Sequence, residues 1–487
     1  MARPRDGNRA GTPRREVLLG LPARLLLVLL SSALAFASFP PWGYAPLAWV
    51  ALLPLFAAIV GASPPATRLL GLLWGLLFYG GSLWWFTRIF GPAAVALWGI
   101  LAFTVWAFAL VLERVLRRWG LGAALALAPV LWTGIDLFRC EIWFFRFSWL
   151  QLGLSQVTSP QVLQLASVVG VYGLTFLIVA SNCGLAWLFL RGRRWVAWAS
   201  TVGTVAAAAL LGLVPVRSPE PAERSVVAGA VQTEMGDPSR LEELIAEAGG
   251  RGARLIVCPE YALTEFPLED PGLLAELASG ARGAGAYVVV GCKERVPGRD
   301  DERGFYNAAL ILAPDGSAVG TYHKHHPIQF FNDGVPGREL PAFATSLGRL
   351  GVAICYDVDF ASVTRGLVRN GAELLVVPNF DEMTWGVTEH IQHSWMAPAR
   401  AVEHRRWIVR SASSGISQII DPYGNVTGSL AVGDEGVVVG SVEAKASFTA
   451  YDRVGYVVPY ACLAGTVLVL LASVVPPPIG RAKRGGG

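Results

Sequence analysis

Three strand-like runs in the second half of this 487-residue chain end in side chains able to do chemistry. Leu255-Ile256-Val257-Cys258-Pro259-Glu260 is an apolar run stopped by a proline, which delivers a carboxylate at a strand end. In an apolar setting the acidity of Glu260 falls, which suits a general base near neutral pH. Tyr322-His323-Lys324-His325-His326-Pro327 places a lysine among aromatic and apolar neighbours, in a chain with only four Lys (293, 324, 445, 483) against 36 Arg. A compact ammonium of this kind can stabilise a forming oxyanion. Leu350-Gly351-Val352-Ala353-Ile354-Cys355 delivers a thiol at a strand end, and Tyr356-Asp357 follow. Beside a cation, its thiolate would be a competent nucleophile. Taken singly, each has an ordinary reading: a surface glutamate, a solvated lysine, an inert core cysteine. Together they form Glu, Lys and Cys in chain order, 64 and 31 residues apart, each at a strand end.

Other chemistries find less support. Histidines at 323, 325, 326, 390, 393 and 404 invite a metal reading, but no HExxH is present and the acidic partners are unclear. No metal and no other cofactor is expected. Neither a Walker phosphate loop nor a dinucleotide fingerprint occurs, so nucleotide chemistry and nucleic-acid binding are not expected. The six cysteines show no CxxC and no metal spacing, so no disulfide framework is indicated.

The elements that must hold the three side chains lie within residues 222–446. There, strands at Val226–Val231, Arg254–Val257, Tyr287–Gly291, Ala308–Ala313, Arg349–Ile354, Leu374–Val377, Trp407–Ala412 and Ser417–Ile420 alternate with helices. The helices are expected at Leu241–Gly249, Leu273–Ala284, Ser362–Asn370 and Ser394–Arg406. Such alternation argues for a layered α/β domain.

The rest of the chain is different in kind. Apolar residues make up 53% of the whole and charged ones 16%, against roughly 25% charged in ordinary soluble proteins. Residues 1–216 carry a net +11, with arginine as their only strong base, and residues 217–487 a net −7. Apolar runs near 17–37, 46–61, 69–87, 92–112, 121–138, 168–190, 195–214 and 456–475 are long enough to cross ~30 Å of hydrocarbon, the second being short and holding Pro54. This gives about eight transmembrane helices, seven in 17–216 and the eighth at 456–475. With a cytoplasmic basic tail at 1–16, fifteen bases fall on the inner side and three (Arg88, Arg139, Arg146) in the short outer loops. The same alternation places 476–487 in the cytoplasm and the α/β domain on the outer face. Arg14-Arg15 fits a cytoplasmic anchor better than a twin-arginine signal, because further spans follow. Of 17 Trp, 14 precede residue 200, and Trp42, Trp49, Trp84, Trp85, Trp143 and Trp149 read as an interfacial belt. Arg88, Glu113, Asp136 and Arg139 read as interfacial charges at span ends. A non-enzymatic transporter or scaffold would leave the triad unexplained.

The order and setting of Glu260, Lys324 and Cys355 resemble the nitrilase (carbon–nitrogen hydrolase) superfamily, whose domain is an αββα sandwich with a Glu-Lys-Cys triad. With its membrane flanks, the chain is similar over nearly its full length to the apolipoprotein N-acyltransferases, the membrane-bound branch of that superfamily. Phe39-Pro40-Pro41-Trp42-Gly43, the Gly75–Trp85 run, Phe147–Gly153, Gly170-Val171-Tyr172-Gly173, Pro378-Asn379 through Trp385-Gly386 and Met396 to Arg410 carry the likeness.

The resemblance implies Cys355 as nucleophile, Glu260 as general base and Lys324 as oxyanion stabiliser. An acyl chain would pass from a membrane phospholipid to the thiol, then to the N-terminal amine of a diacylated apolipoprotein. Tyr356, Asp357, Asn332 and Asp333 would support the triad, and Asn379 and Trp385 would bind substrate. The setting implied is a monomer in the bacterial cytoplasmic (inner) membrane, with both termini cytoplasmic and the catalytic domain periplasmic. Segments 327–345 and 380–393 are candidate lids.

The sequence also departs from the family pattern. Where the family has a Glu eight residues beyond the Lys, this chain has Asn332, with Asp333 one step later. Asp357 replaces the Glu of Cys-Tyr-Glu, and Cys258 stands where a Trp often precedes Pro-Glu. The altered 327–333 stretch motivates the alternative of a membrane-tethered amidase, or an acyltransferase acting on another amine.

Overall fold

The computed structural model describes residues 19–191, 225–299, 301 and 304–475. The expected span 195–214 and the tails 1–16 and 476–487 lie outside the described residues.

Two six-stranded sheets form the catalytic domain. One has the order β12 (Gly436–Val442), β1 (Val226–Gln232), β2 (Leu255–Val257), β3 (Tyr287–Arg295), β4 (Phe305–Leu312), β5 (Ala318–His323). The other runs β11 (Val426–Ser429), β10 (Gln418–Ile420), β9 (Ile408–Ala412), β8 (Leu374–Asn379), β7 (Gly348–Val352), β6 (Ala342–Thr345). The central strands of each sheet pair in parallel and the edges antiparallel.

The central strands are apolar on both faces because both faces are covered. Leu255 and Val257 of β2 pack between the sheets against Leu350, Val352, Leu374 and Val376. Ile256 points the other way, onto Leu241, Leu244 and Ile245 of helix Pro238–Gly250. Leu375 and Val377 of β8 likewise face Leu367 and Val368 of helix Ala361–Arg369, in a core that continues into the membrane half. The result is a helix–sheet–sheet–helix sandwich.

Structure and expectation differ in places. The helix expected at Ser394–Arg406 is Met396–His404, and a further helix that was not expected, Val387–Ser394, precedes it across Trp395. Strands β5, β6, β11 and β12 were not expected; they are edge or near-edge strands whose side chains are largely half-buried or exposed.

The N-terminal region is helical. Stretches Phe86–Ile142, Ala166–Leu190 and Val457–Val474 are long and apolar enough to cross a membrane, while the apolar helices Leu21–Ala37 and Ala45–Ile59 are shorter. The chain doubles back within the first. Gly120 adopts φ +82°, and the Phe108 and Trp132 rings lie 5.0 Å apart. Twenty-four residues of unbroken helix would separate them by about 36 Å. The run expected at 46–61 is broken into Ala48–Ala51 and Leu53–Ile59. The amides of Leu52 and Leu53 at that break both donate to Asn182 Oδ1, at 2.8 and 3.2 Å.

Asp136 and Arg139, expected as interfacial charges, are buried within the protein. Arg139 is fully buried, pairs with Asp136 at 2.8 Å, and donates to the carbonyls of Phe147 (2.7 Å) and Trp149 (2.9 Å). It therefore shapes the loop that meets the catalytic domain. Trp85 and Trp149 also leave the expected belt for this seam. Trp85 donates to Gln392 Oε1 at 3.0 Å, and Trp149 Nε1 donates to Asp359 Oδ2. Ser148 Oγ donates to the Asp359 carbonyl, and Val171 N to Glu403 Oε1 at 2.8 Å.

Candidate active site

Glu260 and Cys355 each lie three residues past the end of a central strand, β2 and β7, and Lys324 follows β5 directly. The backbone is tight at two of these points. Cys355 itself has φ +49°, and Tyr261, next to Glu260, has φ +52°. Non-glycine residues adopt this left-handed conformation only when their surroundings enforce it, and such residues gather at active sites. Here it turns the chain off the strand so that the side chain faces the space between strand ends.

Lys324 Nζ sits between two carboxylates, 2.7 Å from Glu260 Oε1 and 2.8 Å from Asp333 Oδ2. Asn307 Nδ2 also bridges them, at 2.5 Å to Glu260 and 2.6 Å to Asp333. Tyr261 donates its hydroxyl to Asp333 Oδ1 at 2.8 Å, and the Ile328 amide reaches Asp333 Oδ2 at 2.8 Å. Asp333, one step beyond the position at which the family pattern places a glutamate, thus contacts the lysine directly.

The three triad side chains are buried to within 2% of complete. Burial pushes the Glu260 carboxyl above its ordinary range; Lys324 opposes this and Asp333 adds to it. Burial alone would discharge Lys324, but Asp333 and Glu260 outweigh it and hold the ammonium. Burial, reinforced by Glu260 and opposed by Lys324, pushes the Cys355 thiol up. Its Sγ lies 3.6 Å from the Phe380 carbonyl. The resting site is thus a thiol beside an unusually basic carboxylate and a fixed cation.

Asp357 is not a second partner for Lys324. Its oxygens accept the amides of Ile354 (3.2 Å), His325 (3.2 Å) and His326 (2.7 Å) and the Tyr322 hydroxyl (2.8 Å). It ties the lysine loop to the cysteine turn. Tyr356 lines the site, and its hydroxyl donates to the Arg146 carbonyl at 3.1 Å. Asn332 is exposed. Asn379 contributes its carbonyl, which accepts the Glu260 amide at 3.3 Å. Its buried side-chain oxygen and nitrogen have no hydrogen-bond partner among the described residues.

Cys355 opens onto a cavity with almost entirely apolar walls. Trp85, Phe86, Phe90, Phe147 and Trp149 come from the membrane half. Ile328, Phe330, Phe331 and Trp385 come from the two segments expected as lids. The rings of Phe331 and Trp385 stack at 5.9 Å, and Phe331 stacks on Phe90 at 5.7 Å. The space between these walls, counted out to open solvent, is about 520 Å³, within the usual range for ligand pockets.

Beyond this cavity lies a buried ionic cluster. Asp381, Glu389 and His390 bring one potential metal ligand each within 4.8 Å of one another. The Asp381 oxygens are, however, engaged by His393 Nδ1 (2.6 Å) and Arg410 Nη2 (2.7 Å). A guanidinium bonded to the same carboxylate opposes a cation there, so these residues fit an ion-pair network better than a metal centre.

Sequence reasoning did not single out Asn307, Tyr261, Glu389, Asp359 or Arg410. Asn307 did leave a signal: it interrupts the apolar strand Phe305–Leu312 with a residue type depleted in strands.

Residues 231–451 match the family model for carbon-nitrogen hydrolases, and residues 31–184 that for the apolipoprotein N-acyltransferase N-terminal domain. A Geobacter metallireducens protein named apolipoprotein N-acyltransferase is 31% identical, with 94% of this chain and 95% of that one covered. A Pseudomonas syringae pv. tomato protein of the same name is 27% identical, with 88% and 92% covered. Among solved structures, an amidase from Nesterenkonia sp. is 22% identical with a TM-score of 0.39, covering 47% of this chain and 95% of that one. On the full-length likeness to the Geobacter protein, joined to both family models, the chain belongs to the apolipoprotein N-acyltransferase family.

Proposed function

We propose that this enzyme transfers an acyl chain from a membrane phospholipid to the N-terminal amine of a diacylated apolipoprotein, with Cys355 as the carrier. One observation bears most of the weight: a thiol, an ammonium and a basic carboxylate meet at an aromatic cavity whose walls come partly from the membrane half.

In the first half-reaction Glu260 takes the Cys355 proton and the thiolate attacks an ester carbonyl of the phospholipid. The Lys324 ammonium stabilises the oxyanion that forms. Collapse expels the lysophospholipid alkoxide, which recovers the proton from Glu260. In the second half-reaction the acceptor amine attacks the thioester, Glu260 takes its proton, and the Cys355 thiolate leaves. Apolar walls reaching from the membrane half spare the enzyme from moving an acyl chain through water, at a cost of about 0.8 kcal/mol per CH₂.

The same reading includes eight spans, a monomer in the cytoplasmic membrane, cytoplasmic termini and an outward catalytic domain. The amidase alternative drew on the altered 327–333 stretch; the contact between Asp333 and Lys324 weakens that motive.

Incubation with a fluorescent phospholipid tests the central step. Wild-type enzyme should acquire a hydroxylamine-sensitive label and pass it to a diacylglyceryl-cysteinyl peptide, and Cys355→Ala should do neither. Label retained by Cys355→Ala would remove Cys355 from the role. Reporter fusions at the two termini and within 222–446 test the topology.

A further inference from the structure

Two ionisable side chains interrupt the otherwise apolar lining of the cavity. Glu389 and His393, one turn apart on helix Val387–Ser394, line the same cavity as Cys355. Glu389 is 2% exposed. Its Oε1 is 3.8 Å from His393 Nδ1 and its Oε2 is 3.9 Å from His390 Nδ1, both too long for hydrogen bonds. Oε2 has no hydrogen-bond partner among the described residues. His393 is already held by Asp381 at 2.6 Å, with Asp359 3.5 Å from its other nitrogen. The remaining charged groups that act on Glu389 are Asp381, Arg410 and Asp359.

The Glu-Lys-Cys chemistry makes no use of this carboxyl, and burying it without a partner is costly. An occupant of the cavity can supply one. A phospholipid donor, whatever its headgroup, carries a phosphate within a few bonds of its esters, and an acid repels it. The acceptor carries two acyl chains and a single primary ammonium, which matches apolar walls with one acidic point. We propose that Glu389 is the subsite for the acceptor's α-ammonium, distinguishing acceptor from donor within a shared cavity.

Burial, then Asp381, holds the empty-site carboxyl well above its ordinary range, which favours its neutral form over the ionised one. The ammonium favours the ionised form, so the pair forms with release of the Glu389 proton. Before attack the Glu389 carboxylate takes one proton back from the ammonium and frees its lone pair; Glu260 takes the second proton as the thioester is attacked and passes it to the leaving Cys355 thiolate. This inference rests on the acyl-transfer reading above.

The test uses full-length enzyme in detergent micelles and follows two steps separately: Cys355 acylation by a fluorescent phospholipid, and discharge of the acyl-enzyme by a diacylglyceryl-cysteinyl peptide. A second peptide, with hydroxyl in place of the α-amine, serves as competitor. Wild type should bind the amine peptide about tenfold to a hundredfold more tightly than the hydroxyl peptide. Glu389→Gln should bring that ratio near one and raise KM for the amine peptide by a similar factor, with a smaller change in kcat. Glu389→Asp should recover part of the ratio. An unchanged ratio in Glu389→Gln, or a defect confined to the acylation step, overturns the subsite. A wild-type enzyme that forms no acyl-enzyme overturns the transfer reading itself, and this inference with it.

Discussion

Trp149, in a loop of the membrane half, donates its indole N–H to the carboxylate of Asp359, four residues after Cys355. The bond crosses the seam between the two parts of the molecule and fixes one wall of the cavity relative to the nucleophile. Trp149→Phe keeps an aromatic ring but, with the indole N–H gone, leaves a buried carboxylate oxygen without its donor. The variant should lose about 1–3 kcal/mol of stability. Its acylation rate should fall about tenfold, because the wall and the thiol are no longer in register. Thermal unfolding in detergent and single-turnover acylation measure the two effects. Wild-type values for both would show that the bond is idle.

Asp359 also makes stability depend on pH. Burial lifts its carboxyl from 3.8 to about 6, against the opposing pull of His393 and of the Trp149 bond. A carboxyl raised in the folded state favours the fold in its protonated form. That contribution is complete below about pH 4 and is lost as pH rises through about 6. Asp359→Asn, which cannot ionise, should therefore gain on wild type by up to about 3 kcal/mol between pH 4 and pH 8. Unfolding of both proteins across that range gives the difference directly. A difference that stays flat with pH would sink the assignment.

Asp333 holds Lys324 and raises the basicity of Glu260. Removing its charge should slow acylation about a hundredfold, through a displaced lysine. It should also move the acidic limb of the pH–rate profile to lower pH, because Glu260 loses a neighbouring negative charge. The profile for Asp333→Asn separates these effects: slowing without a shift of the limb would mean that Asp333 only positions the lysine.

Gly291 on β3 leaves room for the Glu260 turn. A Cβ there would lie 2.2 Å from the Pro259 carbonyl oxygen, 2.6 Å from Glu260 Cα and 2.7 Å from Tyr261 N. These are backbone atoms and cannot swing aside. Gly291→Ala should cost about 1–3 kcal/mol and reduce acylation about a hundredfold by displacing the base. Circular dichroism confirms the sandwich, and the labelling assay reads the rate. Full activity in this variant would mean that the turn is softer than its packing implies.

Glu260 and Cys355 were legible because each follows a strand whose apolar run is unbroken, and such runs belong to central strands covered on both faces; Lys324 follows the edge strand β5 and stood out by the scarcity of lysine in the chain. Edge strands such as β6 and β11 left no comparable trace, since a half-exposed strand tolerates mixed residues. The helix Val387–Ser394 was obscured for a different reason. Its Glu389, His390 and His393 look solvated in sequence, yet they are buried against one another and Arg410. Trp85 and Trp149 were read as membrane-interface residues because an aromatic near a span end gives the same signal whether its ring meets lipid or another domain. The burial of Arg139 was hidden likewise: an arginine at a span end gives no hint that two loop carbonyls will cap it.

The shared cavity limits how such a chain can be recombined. Its walls come from stretches near residues 85–90, 147–149, 328–331 and 385, which lie on both sides of any cut between membrane and catalytic parts. A chimaera that joins the spans of one relative to the domain of another would inherit both folds but a mismatched lining. Chain-length preference should therefore follow neither parent. It should return to a parental pattern only when the Phe90–Phe331 ring pair and the hydrogen-bonded pair Trp149–Asp359 are exchanged together.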